Sequence, residues 1–240
     1  MLSDVHRIGH GTKTMKALAG QAASRWMLLA LTLLAMGVCT MAMARHHRAA
    51  QDGETGQFDY YLVSLSWSPS YCLTHAYDQA QCGGKGFGFV LHGLWPQYDS
   101  GGYPQNCATE ALLTPEAQAL AATLYPSPKL IEHEWSRHGT CSGLDAVAYF
   151  RTADRAAAAV KIPPMFEAPR ANLMMRPEEI VAAFQAANSS LPADAIRVAC
   201  SRGELSEVRV CLTRTLAIRP CGRGVRSSCP ADAVQLPASR

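Results

Sequence analysis

The sequence predicts an α+β fold: a single domain with a central, mostly antiparallel sheet that is flanked by helices and stapled by disulfide bonds. The first observation is the order along the chain, because strand-like segments precede and follow a helical middle. The second is that no internal repeat or linker divides these segments. The third is cysteine usage, since eight of the nine cysteines follow residue 44 and an even number in an exported chain indicates a disulfide framework.

Residues 1–44 have the plan of a secretory signal peptide. Basic residues precede the apolar run WMLLALTLLAMGV, and Ala42-Met43-Ala44 offers a small-x-small cleavage site. Met15 is a second candidate start, because the segment that follows it already has charged, apolar and small-residue regions. We therefore expect residues 1–44 to be removed and the mature protein to be secreted or periplasmic.

Two other interpretations of this segment compete with cleavage. An uncleaved membrane anchor needs about 20 apolar residues to span a bilayer, and the run is shorter than that. A lipid anchor on Cys39 would follow Val38, which is a poor residue for that position. We expect no membrane contact once residues 1–44 are removed.

Residues 45–57 are polar and predict a flexible leader before a domain at residues 58–240. About 196 residues remain after residue 44, enough for one domain with a substantial core. The whole chain has 22 basic and 19 acidic residues, and residues 1–44 contain four and one of these, so 18 of each remain. Because the mature chain has no net charge, an anionic ligand must be held by a local site.

Each element of the domain has its own sequence signal. Aromatic and β-branched segments predict strands at Phe58–Trp67 and Phe87–Trp95. A helix is predicted from Thr114, because Pro115 suits a first helical position. Further helices are predicted in HEWSRHGTC, at Asp145–Val160 and at Pro177–Ala187, and further strands in IRVACS, SEVRVCLT and LAIRP.

The eight cysteines of the mature chain predict disulfides rather than a zinc site. No C-x-x-C pair occurs in the sequence, and an exported chain folds in an oxidising compartment. Eight cysteines allow 105 pairings, so the residues alone do not choose one. The eight are Cys72, Cys82, Cys107, Cys141, Cys200, Cys211, Cys221 and Cys229.

The segment LIEHEWSRHGTCSG concentrates titratable side chains. A zinc-protease helix has H-E-x-x-H, whereas His133 and His138 are five positions apart and diverge by about 140° on a regular helix. The pairs that share a helix face are His133 with Arg137, and Glu134 with His138. This pattern favours proton transfer beside an anion over metal binding, although a solvated helix face would show the same pairs.

A second histidine segment is FVLHGLWPQ, in which His92 and Trp95 bracket a glycine at the end of a predicted strand. Functional residues often lie where a strand passes into a loop, so His92 is a candidate site residue. The alternative is a core histidine packed against Trp95.

Together, FVLHGLWPQ and HEWSRHGTC resemble the two active-site segments of the ribonuclease T2 family, and WSPSYC resembles its first cysteine segment. The resemblance implies cleavage of single-stranded RNA with little base selectivity, 2′,3′-cyclic phosphate products and no metal cofactor. It also implies that His92 and His138 act as general acid and base, with His92 as the acid. Two imidazoles suit this reaction, because an unperturbed pKa of about 6.5 lets one be protonated while the other is neutral.

The resemblance assigns the other site residues as well. His133 is expected to bind phosphate, while Glu134 and Arg137 stabilise the transition state. The family usually has Lys where this chain has Arg137, which puts the fit around phosphorus in question. Trp95 matches a position on which a base stacks.

Disulfide pairing, too, is implied by the resemblance, as Cys72–Cys82, Cys107–Cys141, Cys200–Cys229 and Cys211–Cys221. We expect a monomer whose partner is single-stranded RNA. Two alternatives remain: a non-catalytic relative that uses the fold for binding, and a secreted zinc hydrolase that uses His92, His133 and His138.

Overall fold

The computed structural model describes residues 53–239 except Ala168 and Ala231. The predicted signal peptide and residues 45–52 of the predicted leader lie outside the described residues. Residues 53–57 contact the domain through hydrogen bonds: Thr55 donates to the carbonyl of Thr140, and the backbone N–H of Gly56 to that of Cys141. The predicted leader is therefore tied, over its last five residues, to the segment that follows His138.

The sheet has six strands among the described residues. Their bounds are β1 Tyr60–Trp67, β2 Phe89–Gln97, β3 Leu173–Met175, β4 Ile196–Ser201, β5 Glu204–Thr213 and β6 Val234–Leu236. The order is β2-β1-β5-β6-β3, with β4 also paired to β5. All pairs are antiparallel except β5 with β6, so the predicted α+β class with a mostly antiparallel sheet is confirmed.

Six α-helices join these strands in the described part of the chain. They are α1 Ser68–Thr74, α2 Gln79–Cys82, α3 Pro115–Ala121, α4 Pro128–Arg137, α5 Ala146–Ala158 and α6 Pro177–Ala187. None of the helices within residues 53–239 is long and apolar enough to cross a membrane. Short 3₁₀ turns follow α4 at Gly139–Cys141 and α5 at Pro164–Phe166.

Strand β1 separates two packed layers. Its alternate residues Tyr61, Val63, Leu65 and Trp67 join the main core, which the helices cover. Tyr60 and Leu62 face the other way and pack with Cys211 and Val225, against which Trp95 is partly buried. This second face, called the site face below, carries Ser64, Gly93, Trp95, Glu207 and Arg209, because these residues share register positions across β2, β1 and β5.

The prediction of a strand in LAIRP is wrong. Only an isolated bridge between Leu212 and Ile218 forms there. Pro220 has no N–H to continue a ladder, and the Cys211–Cys221 disulfide turns the chain back at that point. The sixth strand is β6 instead, and Trp67 donates its indole N–H to the carbonyl of Pro237 beside it, at 3.1 Å.

The four disulfides are Cys72–Cys82, Cys107–Cys141, Cys200–Cys229 and Cys211–Cys221. They are the four pairs that the family resemblance implies.

Candidate active site

A β-bulge turns His92 towards the site face. In the pairing of β1 with β2, Ser64 lies opposite Gly93 and the next residue, Leu65, lies opposite Leu91, so His92 is the extra residue. Counting from Gly93 on the site face, strict alternation would point His92 into the core and Leu91 out of it, yet Leu91 belongs to the main core. The bulge keeps Leu91 inward and brings the His92 ring against Trp95, with 5.1 Å between ring centroids.

His92 lies between two carboxyl groups. Its Nδ1 is 2.7 Å from Oε1 of Glu207, and its Nε2 is 3.9 Å from Oε1 of Glu134. Burial lowers the pKa of His92, but the hydrogen bond and charge of Glu207, with the charge of Glu134, outweigh burial, so the pKa lies above its usual value. The imidazole is therefore disposed to carry a second proton.

Helix α4 supplies Glu134 to the same point. Ser127 caps the helix by accepting from the N–H of Leu130, and Pro128 occupies the first turn, so α4 starts five residues before the predicted segment at His133. Ile131 and Trp135 are buried in the core, which leaves Glu134 buried towards the sheet. There its Oε2 accepts from the indole N–H of Trp95 at 2.8 Å.

The Glu134 carboxyl is fully buried, and this burial raises its pKa to about 7, although the charge of His92 and the Trp95 hydrogen bond oppose the rise. Close approach of Glu134 depends on Gly93. A Cβ atom at position 93 would collide with Oε2 of Glu134 and Nε1 of Trp95. The glycine between His92 and Trp95 is therefore required by space.

His138 lies just past the end of α4. Its backbone, at φ −122° and ψ −45°, has left the helix, so the divergence of about 140° from His133 that a regular helix would give does not apply. The ring centroids of His133 and His138 are 6.1 Å apart, and the His138 ring stacks on Trp95 with 5.2 Å between centroids. Burial lowers the pKa of His138 to about 3, and the positive charges of His133 and Arg137 act in the same direction.

The loop before α3 fixes the chain at this turn. The backbone N–H of Asn106 donates to the carbonyl of Arg137, and Cys107 is bonded to Cys141 with their Cα atoms 5.0 Å apart. These contacts hold the residues on both sides of His138. A helix end that would otherwise fray is thereby held in position.

His133 and Arg137 are more accessible to solvent than Glu134 and His138. His133 is exposed and Arg137 half-buried. Partial burial lowers the pKa of His133, and the charges of Arg137 and His92 lower it further. A cavity of about 940 Å³ opens beside His92 and His133, and Tyr71, Lys129 and Glu207 are among the residues that line it.

One group among the described residues has ligand spacing suited to a metal ion. The ligand atoms of His133, Glu134 and His138 all lie within 4.8 Å of one another. The group therefore contains Glu134 in place of the His92 of the predicted zinc alternative. In this group, Oε1 of Glu134 and Nδ1 of His138 are buried without a hydrogen bond in the described structure, whereas Oε2 of Glu134 is engaged by Trp95.

Trp95 is contacted by three of the other five residues that the sequence singles out, His92, Glu134 and His138, while the His133 ring lies beside that of His138. The described contacts of Trp95 are its hydrogen bond to Glu134, the stacked His138 ring, the edge of His92 and the guanidinium of Arg209 at 5.6 Å. These contacts favour a positioning role for Trp95, and base stacking stays a prediction.

Sequence reasoning missed Glu207 and Arg209. Both lie on β5 and point to the site face, while the intervening Val208 and the following Val210 belong to the core. The alternation in SEVRVCLT was a signal of their shared face, but nothing local related that face to His92, 115 positions earlier. Tyr103, whose ring lies 5.9 Å from that of His138, was missed as well.

Comparison with known proteins gives one consistent family. A model of the ribonuclease T2 family matches residues 58–221. A ribonuclease of Aeromonas hydrophila is 54% identical over 92 residues, which are 38% of this chain and 41% of that relative. Ribonuclease DdI of Dictyostelium discoideum is 28% identical over 188 residues, which are 71% of this chain and 81% of that protein.

A solved structure, an RNase-related protein from Calystegia sepium, matches with a TM-score of 0.63 and 25% identity, over 77% of this chain and 99% of that chain. The match to the Aeromonas ribonuclease spans less than half of that relative's length.

Proposed function

Because the chain belongs to the ribonuclease T2 family, we propose that it is an endoribonuclease that cleaves single-stranded RNA by transphosphorylation and leaves 2′,3′-cyclic phosphate ends. One observation carries the proposal: His92, His138 and the buried Glu134 carboxyl surround Trp95, and His133 lies beside His138. The pKa values of His92 and Glu134 are raised, whereas those of His133 and His138 are lowered. Groups whose environments separate their pKa values are suited to divide the roles of acid and base.

His138 is the general base and His92 the general acid in this proposal. Burial keeps His138 neutral, so it can accept the proton of the 2′-hydroxyl. The raised pKa of His92 keeps it protonated, so it can give a proton to the departing 5′-oxygen. As the 2′-oxygen forms its bond to phosphorus, the bond to the 5′-oxygen breaks, and one proton has moved at each end.

The remaining residues meet the negative charge on phosphorus. His133 and Arg137 lie towards the open side, where they can donate to non-bridging oxygens. Glu134 suits the same task in acidic solution because its pKa of about 7 leaves it protonated there, and a neutral carboxyl can donate where a carboxylate would repel. His92, His133, Glu134 and His138 are thus the proposed catalytic residues, with Arg137 and Trp95 as substrate-binding residues.

Single-stranded RNA is the proposed substrate, because the cavity beside His92 and His133 is open to a flexible strand and the active groups need a free 2′-hydroxyl. The four disulfides support a secreted or periplasmic location, where thiols are oxidised. A monomeric state stays a prediction.

The test is cleavage of a defined single-stranded RNA by the EDTA-treated mature protein, with a 2′-deoxy strand as the matched control. We expect full activity in EDTA, 2′,3′-cyclic phosphate ends and no cutting of the 2′-deoxy strand, because that strand lacks the internal nucleophile. The rate should fall as pH rises through the pKa of His92, since the acid then loses its proton. Equal cutting of the 2′-deoxy strand would contradict the proposal.

The second candidate is a metal-dependent hydrolase, which the spacing of His133, Glu134 and His138 favours. Loss of cleavage in EDTA with recovery on added zinc would select it. Absence of any cleavage, together with RNA binding, would select the non-catalytic relative.

A further inference from the structure

Glu207 contacts His92 from the side away from Glu134. Its Oε1 lies 2.7 Å from Nδ1 of His92, while its Oε2 lies 2.6 Å from both Nε and Nη2 of Arg209. Glu207 itself is only 8% exposed. The carboxylate is therefore held from both ends, with an imidazole on one oxygen and a guanidinium on the other.

The backbone fixes this arrangement. Glu207 and Arg209 are two residues apart on β5, so they point to the same face, and Ser66 and Ser64 lie opposite them on β1. Both serines are small, which leaves room above β1 for the acidic side chain to reach His92 in the bulge of β2. A side chain on a central strand is positioned more firmly than one on a loop.

The hydrogen bond selects one tautomer of His92. An ionised carboxylate has no proton to donate, so the proton between the two groups resides on Nδ1 of His92. Burial raises the pKa of the Glu207 carboxyl, but the hydrogen bond from His92 and the charge of Arg209 lower it to about 2, which keeps the carboxylate ionised. Nε2 is left as the atom that exchanges protons with a ligand, on the side that faces Glu134.

We propose that Glu207 is a positioning residue for the reaction: it holds His92 with Nδ1 protonated and Nε2 directed at the departing 5′-oxygen, and Arg209 holds Glu207 in place. This inference rests on the proposed function of His92 as the acid. In the step itself, Nε2 gives up its proton as the bond from phosphorus to the 5′-oxygen breaks. The proton on Nδ1 stays in its bond to Glu207, so the neutral product is the Nδ1–H tautomer.

Several groups surround His92, and their effects have different signs. Glu207 and Glu134 favour its protonated form, whereas Arg209 disfavours it. His133 and His138 stand beyond, and the charge of His92 lowers the pKa of both. Since Glu207 is the group in hydrogen-bond contact, we expect its removal to have the largest effect on His92.

The first test needs no variant. Nitrogen-15 NMR of histidine-labelled protein reports which ring nitrogen of neutral His92 carries the proton, with His92→Gln used to assign its signals. We expect the Nδ1–H tautomer to dominate above the pKa of His92. Dominance of the Nε2–H tautomer would overturn the proposal, whatever the variants do.

The second test compares Glu207→Gln with Glu116→Gln, an exposed glutamate on α3 that serves as control. Glu207→Gln should lower kcat for RNA by about 10- to 100-fold with little change in KM, and lower the pH at which the rate falls on the alkaline side. On a nucleoside 3′-aryl phosphate, whose phenolate leaves without a proton, the loss should shrink to less than about threefold.

Equal losses on both substrates would reduce Glu207 to a structural role and overturn the proposal, as would full activity of Glu207→Gln on RNA. Circular dichroism and thermal unfolding establish that the variant is folded. An inactive wild-type protein would instead overturn the proposed function, so the two failures are distinguishable.

Discussion

Arg137 follows His133 by one helical turn, at the more open side of the site. It contributes positive charge there, and this charge lowers the pKa of both His133 and His138. Because Arg has a planar fork of donors and Lys a compact ammonium, the two residues share charge but differ in geometry.

Arg137→Lys is therefore expected to keep kcat/KM for RNA within about tenfold of wild type, or to improve it, since the charge is retained. Arg137→Ala should be more harmful because phosphate charge is then left without this partner. Single-turnover cleavage measures both, with exposed Arg151→Ala on α5 as control. Wild-type rates for Arg137→Ala would make Arg137 an ordinary solvated helix charge.

At the residue scale, the sequence singled out several side chains of the site but not how they come together. His92, Glu134 and His138 were identified from their motifs. Their geometry depends on features without a local signature: the bulge that turns His92, and the break in α4 that brings His138 back towards His133. Glu207 was missed because strand pairing, which no short motif encodes, brings it to His92.

At the scale of elements, Gly93 of β2 lies directly against Glu134 of α4. Gly93→Ala should reduce stability by about 1–3 kcal/mol and also reduce kcat, because the added methyl collides with Glu134 and Trp95. The matched control is Ser64→Ala at the paired position of β1, since the buried Ser64 hydroxyl has no described hydrogen bond. Thermal unfolding and kcat measured together check this, and an unchanged Gly93→Ala variant would contradict the described contact.

The end of α4 depends on the Cys107–Cys141 disulfide. Replacing both cysteines by serine should cost about 2–5 kcal/mol of stability and should also lower kcat, because the turn at His138 is then released. Cys200–Cys229 offers a matched control, with a sequence separation of 29 residues against 34.

Removal of the control disulfide should cause a similar loss of stability with a smaller loss of kcat per folded molecule. Denaturant unfolding and active-site titration separate the two effects. Equal kcat losses in the two double variants would argue against a specific role for Cys107–Cys141.

At the scale of the whole molecule, secondary-structure elements were predictable where the local sequence signals were strong. The helices at Pro177–Ala187 and Ala146–Ala158 match their predicted segments within two residues, because Pro177 marks the start of the first helix and the Asp145 cap marks the start of the second. The short strands β3 and β6 were not predicted, since three residues carry too little periodicity to distinguish a strand. LAIRP has strand-like composition, but Pro220 and a disulfide prevent it from extending the sheet.

The same scale bears on how residues 45–240, which have no net charge, would bind the proposed RNA substrate. Residues 45–240 contain equal numbers of acidic and basic side chains, so affinity must arise from local arrangement. The sheet provides His92 with its carboxylate partner, and α4 provides His133, Glu134 and Arg137. The division of acid and base between His92 and His138 is the central claim that follows.

That division is tested most directly by leaving-group rescue in two variants. His92→Ala and His138→Ala are each expected to lose about 10²–10⁴-fold on RNA, because each lacks one proton-transfer partner. On a nucleoside 3′-aryl phosphate, His92→Ala should recover to within about tenfold of wild type, since a phenolate leaves unprotonated, while His138→Ala should stay impaired because the 2′-hydroxyl still needs a base. Recovery of His138→Ala instead of His92→Ala, or of neither variant, would contradict the assignment.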